Sequence, residues 1–235
     1  SDVPTARTTF TNYSFLLDTS LFQGVTDDVF FRMYVYAPNT GASLEFDNIQ
    51  IAAAESGMWR GGGGDNNWST VANWVGELAP TSSNTANITL GNTDSTVSVQ
   101  DLTDPFLLNR LSIVGVGDGI NLSGNALRFE ANGGLLPTVN CAREASNTIA
   151  NDIEFADTLT VQVNAGSLTL SGDITGVGQT LDKRGAGTLM LSGQASLEKI
   201  LLSTGTLAID NTATLDVTGE IEFRSSGGAI TLCSF

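Results

Sequence analysis

A short phrase recurs in the second half of the chain at a nearly constant interval. Residues 166–172 read GSLTLSG, residues 187–193 read GTLMLSG, and residues 205–209 open a third copy, GTLAI. Repeats of roughly 20 residues are typical of solenoids, in which each copy buries its apolar side only against its neighbours. The interval therefore predicts a stacked, repetitive fold for this half of the chain.

The same half of the chain reads as short strands separated by glycine, asparagine, aspartate or serine. Apolar and polar residues alternate in the segments 159–163, 168–170, 189–191, 207–209, 215–217, 221–223 and 230–232. Such alternation indicates strands with one buried side. With two or three strands in each repeat, residues 81–235 are predicted to form an all-β, parallel β-helix. A flat β-sandwich is the alternative, since it would use similar strands, but it does not require a phrase that repeats in register.

The first 80 residues differ from this pattern. An aromatic strand at 29–36, a turn signal at 38–41 and a further strand at 42–51 predict a hairpin. Residues 1–54 hold too few strands for a complete sandwich, so we interpret them as the C-terminal part of a longer antiparallel one. Residues 55–80 contain all three tryptophans and four consecutive glycines. They are predicted to be a linker that ends as a cap at the start of the solenoid.

Charge and composition argue against several classes of function. The net charge is −15 and the chain contains no histidine. Nucleic acids and anionic membrane surfaces are not predicted partners, because both need a basic protein face. No segment approaches the ~20 apolar residues of a membrane-spanning helix. Without histidine, neither a Ser-His-Asp triad nor a histidine-ligated metal site can form.

The two cysteines leave two alternatives open. Cys141 and Cys233 either form one disulfide bond or remain reduced and buried in the core, where a free cysteine behaves as a small apolar residue. We favour the buried thiols, because a pairing cannot be read from sequence.

The repeat text resembles that of a known family. Residues 181–193 read LDKRGAGTLMLSG, followed by Gly205-Thr206-Leu207, and this is similar to the autotransporter-associated β-strand repeat. The resemblance implies a right-handed parallel β-helix in a large secreted bacterial surface protein. The spacer at 194–203 departs from the usual text of the family. Residues 27–34 and 46–51 resemble the end of a jelly-roll module of secreted carbohydrate-binding or adhesive proteins.

Two groups of residues are candidates for binding. Asp27, Asp28 and Asp47 are candidate Ca²⁺ ligands, because jelly-roll modules often hold this ion near a final strand and Ca²⁺ prefers several oxygen ligands. The alternative is a solvated turn and a strand-edge aspartate, since the spacing of a calcium loop is missing.

Trp59, Trp68 and Trp74 are candidates for a sugar-stacking platform, since indole faces bind the apolar faces of sugar rings. The alternative, which their position before the first repeat favours, is a hydrophobic cap that closes the end of the solenoid.

The acidic residues of the early repeats do not form a recognisable catalytic pair. Asp94, Asp101, Asp104 and Asp118 are the carboxylates that glycoside hydrolysis would have to use there, and the repeat text does not set two of them at matching positions. The sequence therefore predicts a non-catalytic structural or adhesive protein of the cell surface or the extracellular space. An extracellular glycan or a surface protein is the expected partner. A carbohydrate-binding or carbohydrate-active protein fragment is the alternative.

Overall fold

The structure is a computed structural model that describes residues 56–91, 95–224 and 229–233. The chain divides into two compact units, Ser1–Ala53 and Ala54–Phe235. The predicted jelly-roll end and its three aspartates lie outside the described residues. Everything described below belongs to the second unit.

Almost all regular structure in this unit is β-strand, apart from a single 3₁₀ turn at Val71–Asn73 among the described residues. In chain order the strands are β1 (Ser56–Trp59), β2 (Asn87–Leu90), β3 (Val97–Gln100), β4 (Phe106–Leu108), β5 (Arg110–Ile113), β6 (Asn121–Gly124), β7 (Leu127–Phe129), β8 (Thr138–Cys141), β9 (Ser146–Ile149), β10 (Ile153–Phe155), β11 (Leu159–Val163), β12 (Ser167–Leu170), β13 (Ile174–Arg184), β14 (Thr188–Leu191), β15 (Gln194–Leu202), β16 (Thr206–Asp210), β17 (Thr214–Val217), β18 (Ile221–Phe223) and β19 (Ala229–Cys233).

The strands stack in parallel as a β-solenoid with three faces. Face A contains β4, β7, β10, the first part of β13, the first part of β15, and β17. Face B contains β1, β2, β5, β8, β11, the ends of β13 and β15, and β18. Face C contains β3, β6, β9, β12, β14, β16 and β19. The chain visits the faces in a fixed order and makes six complete turns between β2 and β17.

The repeated phrase marks successive strands of face C, as predicted. Leu168 pairs with Leu189, and Leu189 pairs with Leu207, so residues 21 and then 18 positions apart lie directly above one another. All three leucines are fully buried. Adjacent strands are about 4.8 Å apart, so the phrase builds one continuous apolar column. The prediction of an all-β parallel solenoid is confirmed.

Two strands are longer than the sequence predicts. β13 and β15 run from face A through a corner into face B, where most turns break the chain into two separate strands. The spacer at 194–203, whose text departs from the family pattern, is thus one continuous strand over most of its length. In β13 the register shifts between Gly176 and Thr180, which is a β-bulge at the same corner.

The described part of the predicted linker and cap, residues 56–80, begins with a strand of the solenoid. β1 pairs in parallel with β2 and so forms the first strand of face B. The glycine-rich loop that follows is held by Asn73, which is fully buried. Its side chain accepts a hydrogen bond from the Gly63 backbone at 2.7 Å and donates one to Asp65 at 2.9 Å. These contacts order a loop whose four glycines suggested flexibility.

Candidate functional site

The three tryptophans form a buried cluster at the first turn of the solenoid. Trp59 is 1 % exposed, while Trp68 and Trp74 are fully buried. Trp74 lies edge-on to Trp59 and to Trp68, with ring centroids 5.2 and 5.4 Å apart, and Trp68 is edge-on to Phe106 at 5.2 Å. A sugar platform needs exposed indole faces, and these faces are covered by protein. The structure therefore overturns the ligand-binding interpretation and favours a cap over the first turn.

Hydrogen bonds fix two of the three indoles in this cap. The Trp68 Nε1–H donates to the Ser98 hydroxyl at 2.7 Å, and the Trp74 Nε1–H donates to the Trp68 carbonyl at 2.7 Å. Ser98 is itself fully buried. Buried polar groups are costly unless they are paired, so these bonds set the positions of the indoles. The Trp59 Nε1–H is buried without a partner.

We expect the tryptophan fluorescence of the folded chain to report this burial. Acrylamide should quench it weakly under native conditions and several-fold more strongly after unfolding in urea, because the quencher must contact the indole ring. Emission should also shift to longer wavelength only on unfolding. A Stern–Volmer titration in both conditions checks this, with free tryptophan as the reference. Native quenching as strong as that of free tryptophan would contradict a buried cap.

The described carboxylates serve mainly as caps of turns. Asp65 accepts hydrogen bonds from the Asn67 backbone and the Thr70 hydroxyl, and these bonds lower the pKa of its carboxyl. Asp101 accepts hydrogen bonds from the backbone and the hydroxyl of Ser69, both on the preceding turn. Within residues 56–91, 95–224 and 229–233, no group of three or more acidic or cysteine side chains is arranged to hold a metal ion.

The aspartates considered for glycoside hydrolysis have separate surroundings. Asp94 lies outside the described residues. Asp104 accepts a hydrogen bond from the Ala126 backbone at 3.1 Å, whereas Asp118 lies in the loop between β5 and β6, where its backbone carbonyl accepts a bond from Arg143. Asp101 faces Ser69, as described above. Asp101 and Asp104 thus share the loop between β3 and β4 but accept hydrogen bonds from different neighbours, and Asp118 lies in a later loop.

Two buried cations stabilise the corner between faces B and C, a role that the sequence did not indicate. Arg143 donates hydrogen bonds to the carbonyls of Asp118 and Val114, on the preceding turn, at 2.6 and 3.0 Å. The Lys183 ammonium donates to the carbonyls of Arg184 and Gly185, and to that of Thr204 on the next turn. Burial lowers the pKa of Lys183 to about 8. Both cations thus bridge consecutive turns through backbone oxygens.

Cys141 is a free, buried thiol in β8. Burial raises the pKa of this thiol above its ordinary value, so little reactive thiolate forms near neutral pH. Cys233 lies in β19, four turns farther along the solenoid. Four turns correspond to about 19 Å at the usual strand spacing, whereas the Cα atoms of a disulfide lie within roughly 7 Å. For Cys141, this agrees with the favoured alternative of a reduced, buried thiol.

Shallow depressions interrupt the described surface of this unit, and two of them contain charged side chains. The first lies on face A and has a volume of about 220 Å³; its lining residues are Arg128, Glu154, Phe155, Ala156, Thr175 and Val177. The second, of about 420 Å³, is lined by Glu198, Lys199, Gly219 and Glu220. In the second, the Lys199 ammonium is already paired with the carboxylates of Glu220 and Glu222. Arg128 of the first is also paired, with Glu130 and Glu154, but Phe155 and Val177 add apolar surface that the second depression does not have. The first is therefore the better candidate for a binding site.

Comparison of the chain with protein families, with curated proteins and with solved structures gives no match. Across the described residues, no helix has the length and the hydropathy needed to cross a membrane.

Proposed function

We propose that the chain is a non-catalytic structural segment of a secreted or cell-surface protein, in which the solenoid acts as a stalk. The observation that carries this proposal is the continuous parallel pairing of strands from β1 to β19 on three faces. Each turn is hydrogen-bonded to the next on all three faces, and the interior is a continuous apolar column. Such stacking resists extension and proteolysis, because few backbone groups are left unpaired.

The polar side chains inside the solenoid also serve the stack. Asn147 is fully buried, and its side chain accepts a hydrogen bond from Ile120 N–H and donates to the carbonyls of Ala145 and Ser167. Gln100 similarly donates to the carbonyls of Thr103 and Ala126. These amides, like the corner cations, satisfy backbone groups of neighbouring turns. They support a role in which stiffness is the function, as does the resemblance to repeats of bacterial surface proteins.

Single-molecule force spectroscopy on the full chain tests the stalk. We expect the solenoid to hold its length until a threshold force and then to lengthen in steps. One turn of about 21 residues, fully extended at about 3.5 Å per residue, should add about 70 Å per step or a multiple of it. Smooth lengthening of the second unit, at the forces that stretch an unfolded chain, would overturn the proposal.

A further inference from the structure

The depression on face A combines features that the structural role does not explain. Arg128, Glu154 and Thr175 occupy the same outward position on three consecutive turns, because Arg128 pairs with Glu154 and Glu154 pairs with Thr175. Their side chains therefore follow one another at about 4.8 Å. Arg128 and Glu154 are both nearly half exposed and lie 3.7 Å apart. A cationic donor, a carboxylate acceptor and a hydroxyl thus converge on one small surface.

The bulge in β13 forms an apolar wall beside these groups. Val177 projects from it and is 76 % exposed, and it lines the depression together with Phe155, whose ring is buried. The ring packs against the backbone of Gly176, where a methyl group would lie 2.1 Å from a ring carbon. Bulges in otherwise regular sheets often aim a side chain at a functional surface. Packing within the solenoid therefore does not explain why an exposed valine lies beside paired charges in this turn.

We propose that this depression binds one ring of a neutral hexose. Vicinal hydroxyls both donate and accept hydrogen bonds, and here the Arg128 guanidinium offers a donor and the neighbouring Glu154 carboxylate an acceptor. Arg128 also donates from Nε to the Glu130 carboxylate at 2.7 Å. With Glu154 the group carries one net negative charge, which disfavours an anionic ligand. The apolar face of the ring would lie against Val177. The volume of about 220 Å³ is below the roughly 300–1,000 Å³ of sites for drug-sized ligands, so a single ring fits.

Titration of the full chain with single sugars, followed by saturation-transfer NMR, tests this site. The probes are D-glucose, D-galactose, D-mannose and N-acetyl-D-glucosamine, with D-glucuronate as the anionic comparison. At least one neutral sugar should bind with a Kd on the order of 1 mM, and glucuronate should bind more weakly because Glu154 and Glu130 lie beside Arg128. If no neutral sugar binds at about 50 mM, well above that Kd, or if glucuronate is the best ligand, the proposal is wrong.

Matched variants separate the site from the rest of the solenoid. Thr175→Phe fills the depression and should weaken binding at least ~10-fold. Thr169→Phe places the same side chain at an outward position of face C on the same turn, and should leave the Kd unchanged. Likewise, Val177→Ser should weaken binding, whereas Val116→Ser, at a valine that is 85 % exposed in a different loop, should not. Equal effects within either pair, with circular dichroism unchanged, would place the sugar elsewhere.

The sugar titration can succeed or fail independently of the stalk proposal. Force spectroscopy measures the stacked strands, and these do not need a ligand. A stalk that holds force but binds no sugar would overturn only the binding site. Sugar binding by a chain that lengthens smoothly would overturn only the stalk.

Discussion

Replacing Gly185 by alanine is expected to destabilise the solenoid by about 2–5 kcal/mol, through two separate costs. Gly185 has a φ of +79°, and forcing an L-residue into this region costs roughly 1–2 kcal/mol. In addition, a methyl group at this position would lie 2.2 Å from the Val163 carbonyl oxygen on the preceding turn. Backbone cannot move aside as a side chain does, so the two turns would have to separate at this corner, at a further ~1–3 kcal/mol.

Gly178→Ala is the matched control for this prediction. Gly178 has a similar φ of +72°, but nothing lies within 4 Å of the position that its methyl group would take. It should therefore show the conformational cost alone, roughly 1–2 kcal/mol. Urea denaturation followed by circular dichroism measures both variants. Equal losses would mean that the close stacking of turns at Gly185 does not limit stability.

The close stacking of turns at the corner between faces B and C explains why the repeat can be recognised in the sequence. Gly166, Gly185 and Gly205 all have positive φ, and in each a methyl group would lie 2.2 to 2.4 Å from a backbone oxygen of the turn below. The glycines that open the phrase, Gly166, Gly187 and Gly205, each lie two residues before its first leucine, and at Gly187 a methyl group would lie 2.8 Å from the Gly166 carbonyl oxygen. This spacing reflects the close stacking of turns and the apolar column. Both constraints are local to each repeat, so a pattern of residue types reveals them, and strands such as β11 (Leu159–Val163) were predicted with the right bounds.

The long strands were not predictable from the same signals. Gly176 and Gly178 in β13 suggest a turn, but here Gly176 makes room for the Phe155 ring and Gly178 belongs to a bulge. The depression on face A was missed for a related reason. Arg128, Glu154 and Thr175 lie far apart in the sequence, and only the register of three turns brings them into one column. Turn lengths vary along the chain, so this register is set by packing and not by a fixed period.

Lys183→Met is expected to destabilise the solenoid by about 2–4 kcal/mol near neutral pH. Each carbonyl that loses a buried partner costs about 1–3 kcal/mol. Removing the buried charge offsets part of this cost. The ammonium is fully buried and donates at 2.8, 2.8 and 3.2 Å to carbonyls of two consecutive turns. Methionine keeps most of the apolar stem but cannot donate. The corner would therefore lose its link between these turns.

Lys199→Met is the matched control, since Lys183 and Lys199 are the two lysines of the chain. Lys199 pairs with Glu220 and Glu222 at the surface, where water screens the interaction. Lys199→Met should therefore lose much less unfolding free energy than Lys183→Met in the same urea titration. A loss as large as that of Lys183→Met would show that the buried hydrogen bonds of Lys183 stabilise the fold no more than the ion pairs of Lys199 do.

The pH dependence of stability distinguishes the ammonium of Lys183 from the apolar part of its side chain. The pKa of Lys183 is lowered from 10.5 to about 8 in the folded chain. Below pH 8, Lys183 is therefore protonated in both the folded and the unfolded chain, and folding includes the full cost of burying its charge. Between pH 8 and 10.5 the folded chain has lost this proton while the unfolded chain still binds it, so stability rises with pH. The shift in the pKa of Lys183 corresponds to a rise in unfolding free energy of about 3 kcal/mol, at 1.36 kcal/mol per pKa unit. This is an upper bound, because the three carbonyl partners of Lys183 favour its charged form. Lys183→Met lacks this titration, so the gap in unfolding free energy between the two proteins should widen from pH 8 to 10.5. A gap that stays constant across this range would mean that burial does not shift the pKa of Lys183.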